Sequence, residues 1–366
     1  AGTNGKGETI YRLNATLAAQ GWKTAMWISP HILSLRERMT FGTQVISYAQ
    51  LQQVLTQAQT RLAASGTPVL SYYEFLFYAF LLAVGKERPQ ILLLEVGLGG
   101  RLDAVNLLDA DCTVLTSISR DHQAFLGSTY RAILAEKLGV TRPGQTVLSA
   151  LELKYLRQIM QQQAPRDHWI WQDLFQENIL HTTDLYPARN AALALAAAEK
   201  IQHQAALRWG GPENKRAFRP VPSPLWPGRR ETWPKKNQRD QWLFIGGHNV
   251  DGLRKMMAYL QQKKIQVTSI LASFSQRPYD DLKTNLALLG LVPGQPQIIL
   301  AAFDHPKAVT QNTLQNLVRD VCLAVPVKVE CWHQQLEENL DHEAGTTLVT
   351  GSFYFVGLVQ RSLLQR

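Results

Sequence analysis

The sequence predicts an α/β protein, with a P-loop-type, mostly parallel sheet domain followed by a smaller α/β domain. Continuous apolar runs such as 90–96 (QILLLEV) and 112–118 (CTVLTSI) have the composition of strands covered on both faces. These runs alternate with segments of helical periodicity, the pattern that produces a parallel sheet. The chain also opens on Ala1-Gly2-Thr3-Asn4-Gly5-Lys6-Gly7, a small-residue loop with one lysine that runs straight into a helical pattern. Glycines let backbone N–H groups crowd round an anion, the lysine neutralises charge, and the helix N-terminus adds its positive end, so polyphosphate is the expected ligand.

Taken in order, 8–20 is a helix with Ile10, Leu13, Leu17 and Ala18 on one face and Gly21 as its stop. Residues 23–29 (KTAMWIS) read as a buried strand ending at Pro30-His31. In 47–65, Leu51, Val54, Leu55, Ala58 and Leu62 share a face, Ser47 can cap and Gly66 follows. The stretch 71–84 is apolar nearly all round and reads as a buried helix. After the strands 90–96 and 112–118 come a helix over 130–138 closed by Gly139, a short strand at 146–148 and an Ala-rich helix over 190–202. Right-handed crossovers place the ends of these strands along one edge, so Ser29, Glu95 and the 119–122 loop should converge beside the glycine loop.

From 208 to 241 the pattern breaks into Pro, Trp, Lys and Arg without periodicity. We expect a first domain over 1–225, a linker over 226–240 and a second domain over 241–366. In the latter, strands at 241–245, 265–271, 297–302 and 346–349 alternate with helices at 250–262, 280–289 and 313–321. The strand that should feed the glycine loop is expected upstream of Ala1, where this sequence begins.

A chain of 366 residues, 45% apolar and 18% charged, can bury a substantial core in two domains. No apolar run reaches the roughly 18 residues of a membrane span, and no signal-peptide pattern is present. Three cysteines without metal-type spacing, Cys112, Cys322 and Cys331, read as thiols of a reducing cytoplasm. The net charge of +9 suits anionic small molecules. No zinc-finger, RNP-like or basic-zipper pattern supports nucleic acid as a partner. A cytoplasmic monomer is expected, with neither membrane nor nucleic-acid partners.

Glu95 closes an otherwise apolar strand and precedes Gly97, Gly99, Gly100, Arg101 and Asp103. A carboxylate there needs a partner, either a salt bridge to Arg101 or a metal. His122 lies just past the next strand, as a surface residue or a metal neighbour; Mg²⁺ prefers oxygen, which favours Glu95 as ligand. Lys137 falls in the last turn of a helix, where the macrodipole alone would explain it. Gly246-Gly247-His248-Asn249 forms a second small-residue turn after a strand.

Together, Gly2–Gly7, Ser29-Pro30-His31, 95–104 (EVGLGGRLDA), Thr116-Ser117-Ile118 with Asp121-His122, and Glu136-Lys137-Leu138-Gly139 closely resemble the folylpolyglutamate synthase/dihydrofolate synthase family, a branch of the Mur ligases. Pro227-Gly228-Arg229, His248-Asn249, Asp304-His305-Pro306 and Thr350-Gly351-Ser352 continue the resemblance almost to the end of the chain. It implies the Mur ligase fold with a Rossmann-like second domain, and an ATP- and Mg²⁺-dependent ligase. Such an enzyme phosphorylates the carboxylate of a pterin substrate and lets the amine of L-glutamate attack the acyl phosphate. It further implies that Gly2, Thr3, Asn4, Gly5, Lys6 and Gly7 hold phosphates, with Asn190, Arg229 and His248 also at ATP. Ser29, Glu95 and His122 would surround Mg²⁺, and Lys137 would be carbamylated by CO₂. Ser71, Tyr73 and Asp103 would lie on the pterin side, with His305 and Ser352 near glutamate.

The sequence also departs from the family. Glu8 stands where Ser or Thr is usual; its charge at about 4 Å from a phosphate would cost roughly 4 kcal/mol at an effective dielectric near 20. Thr9 offers a hydroxyl one position further round the helix. Ile245 stands where an aspartate is expected. The alternative to an active ligase is therefore an impaired or non-catalytic relative that keeps the fold.

Overall fold

The computed structural model describes residues 1–66, 69–177, 179–181, 185–209, 228–236, 239–336 and 344–365. The chain divides into two compact units, 1–224 and 225–366. Most of the irregular stretch expected after 208, Pro227 included, lies outside the described residues.

The first unit contains strands β1 (Thr24–Trp27), β2 (Met39–Phe41), β3 (Gln44–Val45), β4 (Ile91–Leu94), β5 (Cys112–Leu115), β6 (Thr146–Ser149) and β7 (Ile170–Asp173). Its helices are α1 (Lys6–Ala19), α2 (Tyr48–Ser65), α3 (Tyr72–Glu87), α4 (Gln123–Leu126), α5 (Tyr130–Leu138), α6 (Lys154–Gln163) and α7 (Tyr186–Trp209). The strands form two sheets, ordered β3-β2-β1-β4 and β5-β6-β7. β1 runs parallel to β4, and β5, β6 and β7 are mutually parallel, whereas β2 and β3 add an antiparallel edge.

Local chemistry accounts for the helix ends. Ser47 and Ser71 cap α2 and α3 in reciprocal boxes with Gln50 and Glu74, and Thr129 caps α5 by accepting from the Ala132 N–H. The apolar wrap of α3 packs Phe77 and Phe80 onto the ring of Trp27 in β1, each with centroids 5.5 Å apart. This aromatic contact buries the face of the first sheet that α2 and α3 cover.

A cavity of about 330 Å³ separates the free edges of β4 and β5. It is walled by Leu92, Leu94 and Cys112 from these strands, Ile10 from α1, and Ile201 and Ala205 from α7. At one end Ala1 pairs alongside β5: its nitrogen donates to the Val114 carbonyl at 2.7 Å, and its carbonyl accepts from the Thr116 N–H at 3.0 Å.

Among the described residues, the second unit has one six-stranded sheet. Its strands are β8 (Arg229–Pro234), β9 (Gln241–Ile245), β10 (Ser269–Ser273), β11 (Gln297–Leu300), β12 (Val327–Val329) and β13 (Thr346–Gly351). The order is β12-β11-β10-β13-β9-β8, parallel throughout except for β8. Helices α8 (Val250–Gln262), α9 (Tyr279–Leu289), α10 (Gln311–Asp320), α11 (Trp332–Gln335) and α12 (Phe353–Leu364) complete it. Separate apolar clusters bury the two sets of inward-facing strand residues.

β8 lies inside the stretch expected as a linker. It is an edge strand, bulged between Arg229 and Glu231 and ending at Pro234, so proline and charge are tolerated there and hide the strand from a reading based on apolar runs. Among the described residues, no helix is long and apolar enough to cross a membrane.

Candidate functional site

The glycine loop is tied to the exit of β5. The Thr3 N–H donates to the Ser117 carbonyl at 2.8 Å and the Asn4 N–H to Ser117 Oγ at 2.9 Å. Thr116 Oγ1 and Ser117 Oγ in turn donate to the Asn4 carbonyl, at 2.7 and 2.9 Å. Asn4 Nδ2 and Thr3 Oγ1 reach Ser119. Gly5 takes a left-handed φ of 88° before α1 begins. Residues Thr116, Ser117 and Ser119 thus hold the loop, and their position directly after a buried strand was the available sequence signal.

Two lysines converge on this loop. Lys6 Nζ donates to the carbonyls of Gly2 and Thr3, at 3.0 and 3.3 Å. Lys137, from the last turn of α5, is 4% exposed and donates to the same Gly2 carbonyl at 3.0 Å. Its ammonium therefore faces the loop and does not serve the helix dipole at the surface. Burial lowers its pKa to about 7; Lys6 adds to the shift, while Asp121 and Asp103 oppose it. Asp121 is a residue the sequence reading passed over in favour of His122. His122 opens α4 with its ring half-exposed and its Nε2 3.9 Å from Asp121, whose own side chain is largely covered.

Glu95 is buried just past β4 and accepts from the Ser29 N–H at 3.0 Å. The expected alternative, an ion pair with Arg101, is not formed: Arg101 pairs with Glu136 at 2.9 Å. Lys6, Thr9 and Glu95 all border the cavity between β4 and β5. A Cβ placed on Gly97 would come within 3.1 Å of the Tyr73 hydroxyl and 3.2 Å of Ser29 Oγ, so the candidates for pterin and metal meet there. Tyr73 donates to Asp103 Oδ1 at 3.1 Å and accepts from Trp27 Nε1 at 3.2 Å. Burial and the Asp103 carboxylate raise its pKa far above the usual phenol value. Asp103 also accepts from the N–H groups of Leu98 and Val105. Ser71, by contrast, is exposed and engaged as the cap of α3.

Glu8 is buried, but its charge is compensated. Arg12 donates to Oε1 through Nε at 3.1 Å and Nη2 at 2.8 Å, and Asn190 Nδ2 donates to Oε2 at 2.9 Å. The expectation of an uncompensated carboxylate against the phosphates is corrected by this pairing. Thr9 Oγ1 is buried with no hydrogen-bond partner.

In the second unit, Arg229 lies 3.8 Å over the Phe353 ring and His248 packs on the same ring at 5.1 Å. Phe353, which the sequence reading did not single out, brings these two together. Asn249 caps α8 by accepting from the Gly252 N–H at 2.7 Å. His305 stacks on Tyr354 at 4.1 Å, and burial together with Lys307 lowers its pKa. Ser352 is buried and accepts from Ser275 Oγ at 2.9 Å. Ile245 belongs to the apolar core and offers no polar group.

The first unit therefore combines a glycine loop opening a helix, two lysine side chains and a buried carboxylate with hydroxyl neighbours. Among the described residues, no group of three or more His, Cys, Asp or Glu gathers as a self-sufficient metal site. Sparse oxygen donors suit Mg²⁺ or Mn²⁺, which complete their shells with substrate phosphates and water.

No family model matches the chain. A dihydrofolate synthase/folylpolyglutamate synthase of Bacillus subtilis is 24% identical over 413 aligned positions, covering 99% of this chain and 89% of that protein. A Haemophilus influenzae protein of the same name is 33% identical over 218 positions, 55% of this chain and 48% of its own length. Among solved structures, the bifunctional synthase of Yersinia pestis complexed with AMPPNP and Mn superposes with a TM-score of 0.79 at 26% identity, covering 100% of this chain and 88% of that one. Escherichia coli FolC with DHPP and ADP gives 0.78 at 25% identity, with the same coverage. Along nearly its whole length, in sequence and in fold, the chain is thus similar to the folylpolyglutamate synthase/dihydrofolate synthases.

Proposed function

We propose that this protein is an ATP-dependent ligase that joins L-glutamate to a pterin-bearing carboxylate, dihydropteroate or a folate, through an acyl phosphate. The observation that carries this reading is the convergence of Lys6 and Lys137 on the Gly2 carbonyl, at the mouth of a glycine loop opening α1. The loop amides and Lys6 bind the polyphosphate, where the charge of the transferred phosphoryl group must be stabilised. We assign Glu95 and Ser29 to Mg²⁺; Thr9 Oγ1, buried without a hydrogen-bond partner, borders the same cavity as Glu95. The metal supplies charge screening and orientation of the phosphates. Tyr73 and Asp103 form one end of the pterin site.

With its pKa near neutrality, Lys137 holds a substantial fraction of free amine. That amine can attack CO₂, forming an N–C bond and releasing one proton, which would convert the cation to a carbamate facing the loop. In the second unit, the Arg229–Phe353–His248 stack is assigned to ATP, and His305 with Ser352 to glutamate. The pairing of Glu8 with Arg12 removes the electrostatic reason for an impaired relative.

ADP release measured with glutamate and each pterin in turn tests the proposal. Release that requires both substrates is expected; silence with every pterin overturns the reading. Retention of labelled carbonate by the wild type and its absence from Lys137→Met is the separate outcome expected for the carbamate.

A further inference from the structure

We propose that Glu8 is a positioning residue for nucleotide binding, acting through Asn190 to hold the shape of the glycine loop. The proposal rests on the ligase reading and adds a component to the same site.

Its basis is a directed chain of contacts. Arg12 anchors one carboxylate oxygen of Glu8, with Nε and Nη2 both donating to Oε1. The other oxygen accepts from Asn190 Nδ2, a bond that joins α1 to α7 across 182 positions of sequence and is buried from solvent. A carboxylate can only accept, so it determines which end of the amide faces it. The nitrogen of Asn190 turns to Glu8, and its oxygen is thereby directed at the loop. Indeed, a Cβ on Gly5 would lie only 2.5 Å from Asn190 Oδ1. The amide is thus packed flat against the turn at Gly5, whose φ of 88° sets the direction in which the following N–H groups point.

A neutral hydroxyl at position 8 would impose no such polarity, since it can both donate and accept. Glu8, one turn before Arg12 on α1, has its counter-ion on the same helix face. The carboxylate is therefore neutralised locally while its second oxygen remains committed to Asn190. This arrangement opposes the simpler view, in which a glutamate next to phosphates only repels them. The two views predict opposite signs.

The test is calorimetric titration of the full chain with MgADP, for wild type, Glu8→Ala, Asn190→Ala and the double variant, with Glu8→Gln as the conservative change. Loss of one charge-assisted hydrogen bond corresponds to about ten-fold weaker binding. Glu8→Ala and Asn190→Ala are each expected to weaken binding by about that factor, and the double variant by no more than the larger single effect, because both remove the same relay. Glu8→Gln can still accept from Asn190 and should recover most of the affinity. Unchanged melting temperatures would confine these effects to the loop.

Tighter binding by Glu8→Ala or Glu8→Gln overturns the proposal in favour of repulsion, and so do fully additive single effects. If a variant fails to fold, the comparison of Glu8→Gln with Asn190→Ala decides: Glu8→Gln must lie closer to wild type. Failure of the wild type itself to bind MgADP overturns the ligase reading and this proposal with it, whereas binding with additive effects overturns the proposal alone.

Discussion

The sheet of the second unit runs unbroken through six strands, whereas the strands of the first fall into sets of four and three with a cavity between β4 and β5. In the second unit, the turn after β9 and the turn after β13 leave neighbouring strands of one hydrogen-bonded ladder. The ladder itself places His248 close to Phe353. In the first unit, the glycine loop lies at the break between sheets: Ala1 and Thr3 pair by backbone with the exit of β5, and side chains add to this, Thr116 and Ser117 after β5, Lys137 from α5 and Asn190 from α7. A continuous backbone ladder thus positions one set of candidate residues, whereas the other depends on a short backbone pairing supplemented by side-chain hydrogen bonds. Substitutions should expose that difference, with stability suffering most in the second unit and binding in the first.

The largest stability effect is expected where backbone meets backbone. Gly351 has a φ of 92°, and a Cβ there would lie 1.9 Å from the Ser273 carbonyl oxygen in the neighbouring strand. Gly351→Ala should cost about 3–5 kcal/mol in urea unfolding of the second unit, through strain and clash together. Gly5→Ala meets the Asn190 side chain and no backbone atom, so its cost should be smaller, about 1–3 kcal/mol, with a greater proportional loss of nucleotide affinity. A larger stability loss at Gly5 than at Gly351 would break the comparison.

Lys137 provides the next effect, and its sign depends on pH. Its folded pKa of about 7 lies below the ordinary lysine value of 10.5, so the unfolded chain holds the extra proton between these limits. Stability therefore rises with pH across that window, and the penalty of the buried charge is complete below it. In CO₂-free buffer, Lys137→Met should stabilise the first unit by on the order of 3 kcal/mol near pH 6, with the advantage shrinking toward pH 10. Ligase activity should be lost. Thermal melts over this range decide the matter; a gain that does not vary with pH would mean that Lys137 is not buried as an amine.

Much of this arrangement was legible in the sequence wherever it depends on short-range periodicity. The expected helices over 130–138 and 250–262 match α5 and α8 residue for residue, and Thr129 and Asn249 cap them. Glu95 was legible as a carboxylate at the tip of an apolar strand. The partner of Glu8 was not, since Asn190 is distant in sequence and no local spacing encodes that hydrogen bond. The environment of Lys137 escaped for the same reason: its position in the last turn of a helix is compatible with exposure, and only tertiary packing buries it. Asp121 was hidden by its neighbour, because an imidazole attracts a functional reading more readily than a carboxylate in a loop. β8 was missed because an edge strand carries no unbroken apolar run.

The smallest effect separates a local role from a binding role at Ser71. Its hydroxyl accepts from the Glu74 N–H, and the Glu74 carboxylate accepts from the Ser71 N–H at 2.8 Å, so its contacts are those of a helix cap. Thr310 makes the corresponding bond to the Thr313 N–H at the start of α10 in the second unit. Ser71→Ala and Thr310→Ala should each cost about 1 kcal/mol, the usual value of a lost N-cap, despite the different sheets behind them. Caps act over a single turn, so a ladder or its interruption several residues away should not alter the cost. If Ser71 also touches the pterin, Ser71→Ala will raise the KM for pterin while Thr310→Ala leaves it unchanged. Equal stability losses with an unaltered KM in both variants would confine Ser71 to the cap and leave Tyr73 and Asp103 as the pterin side of the site.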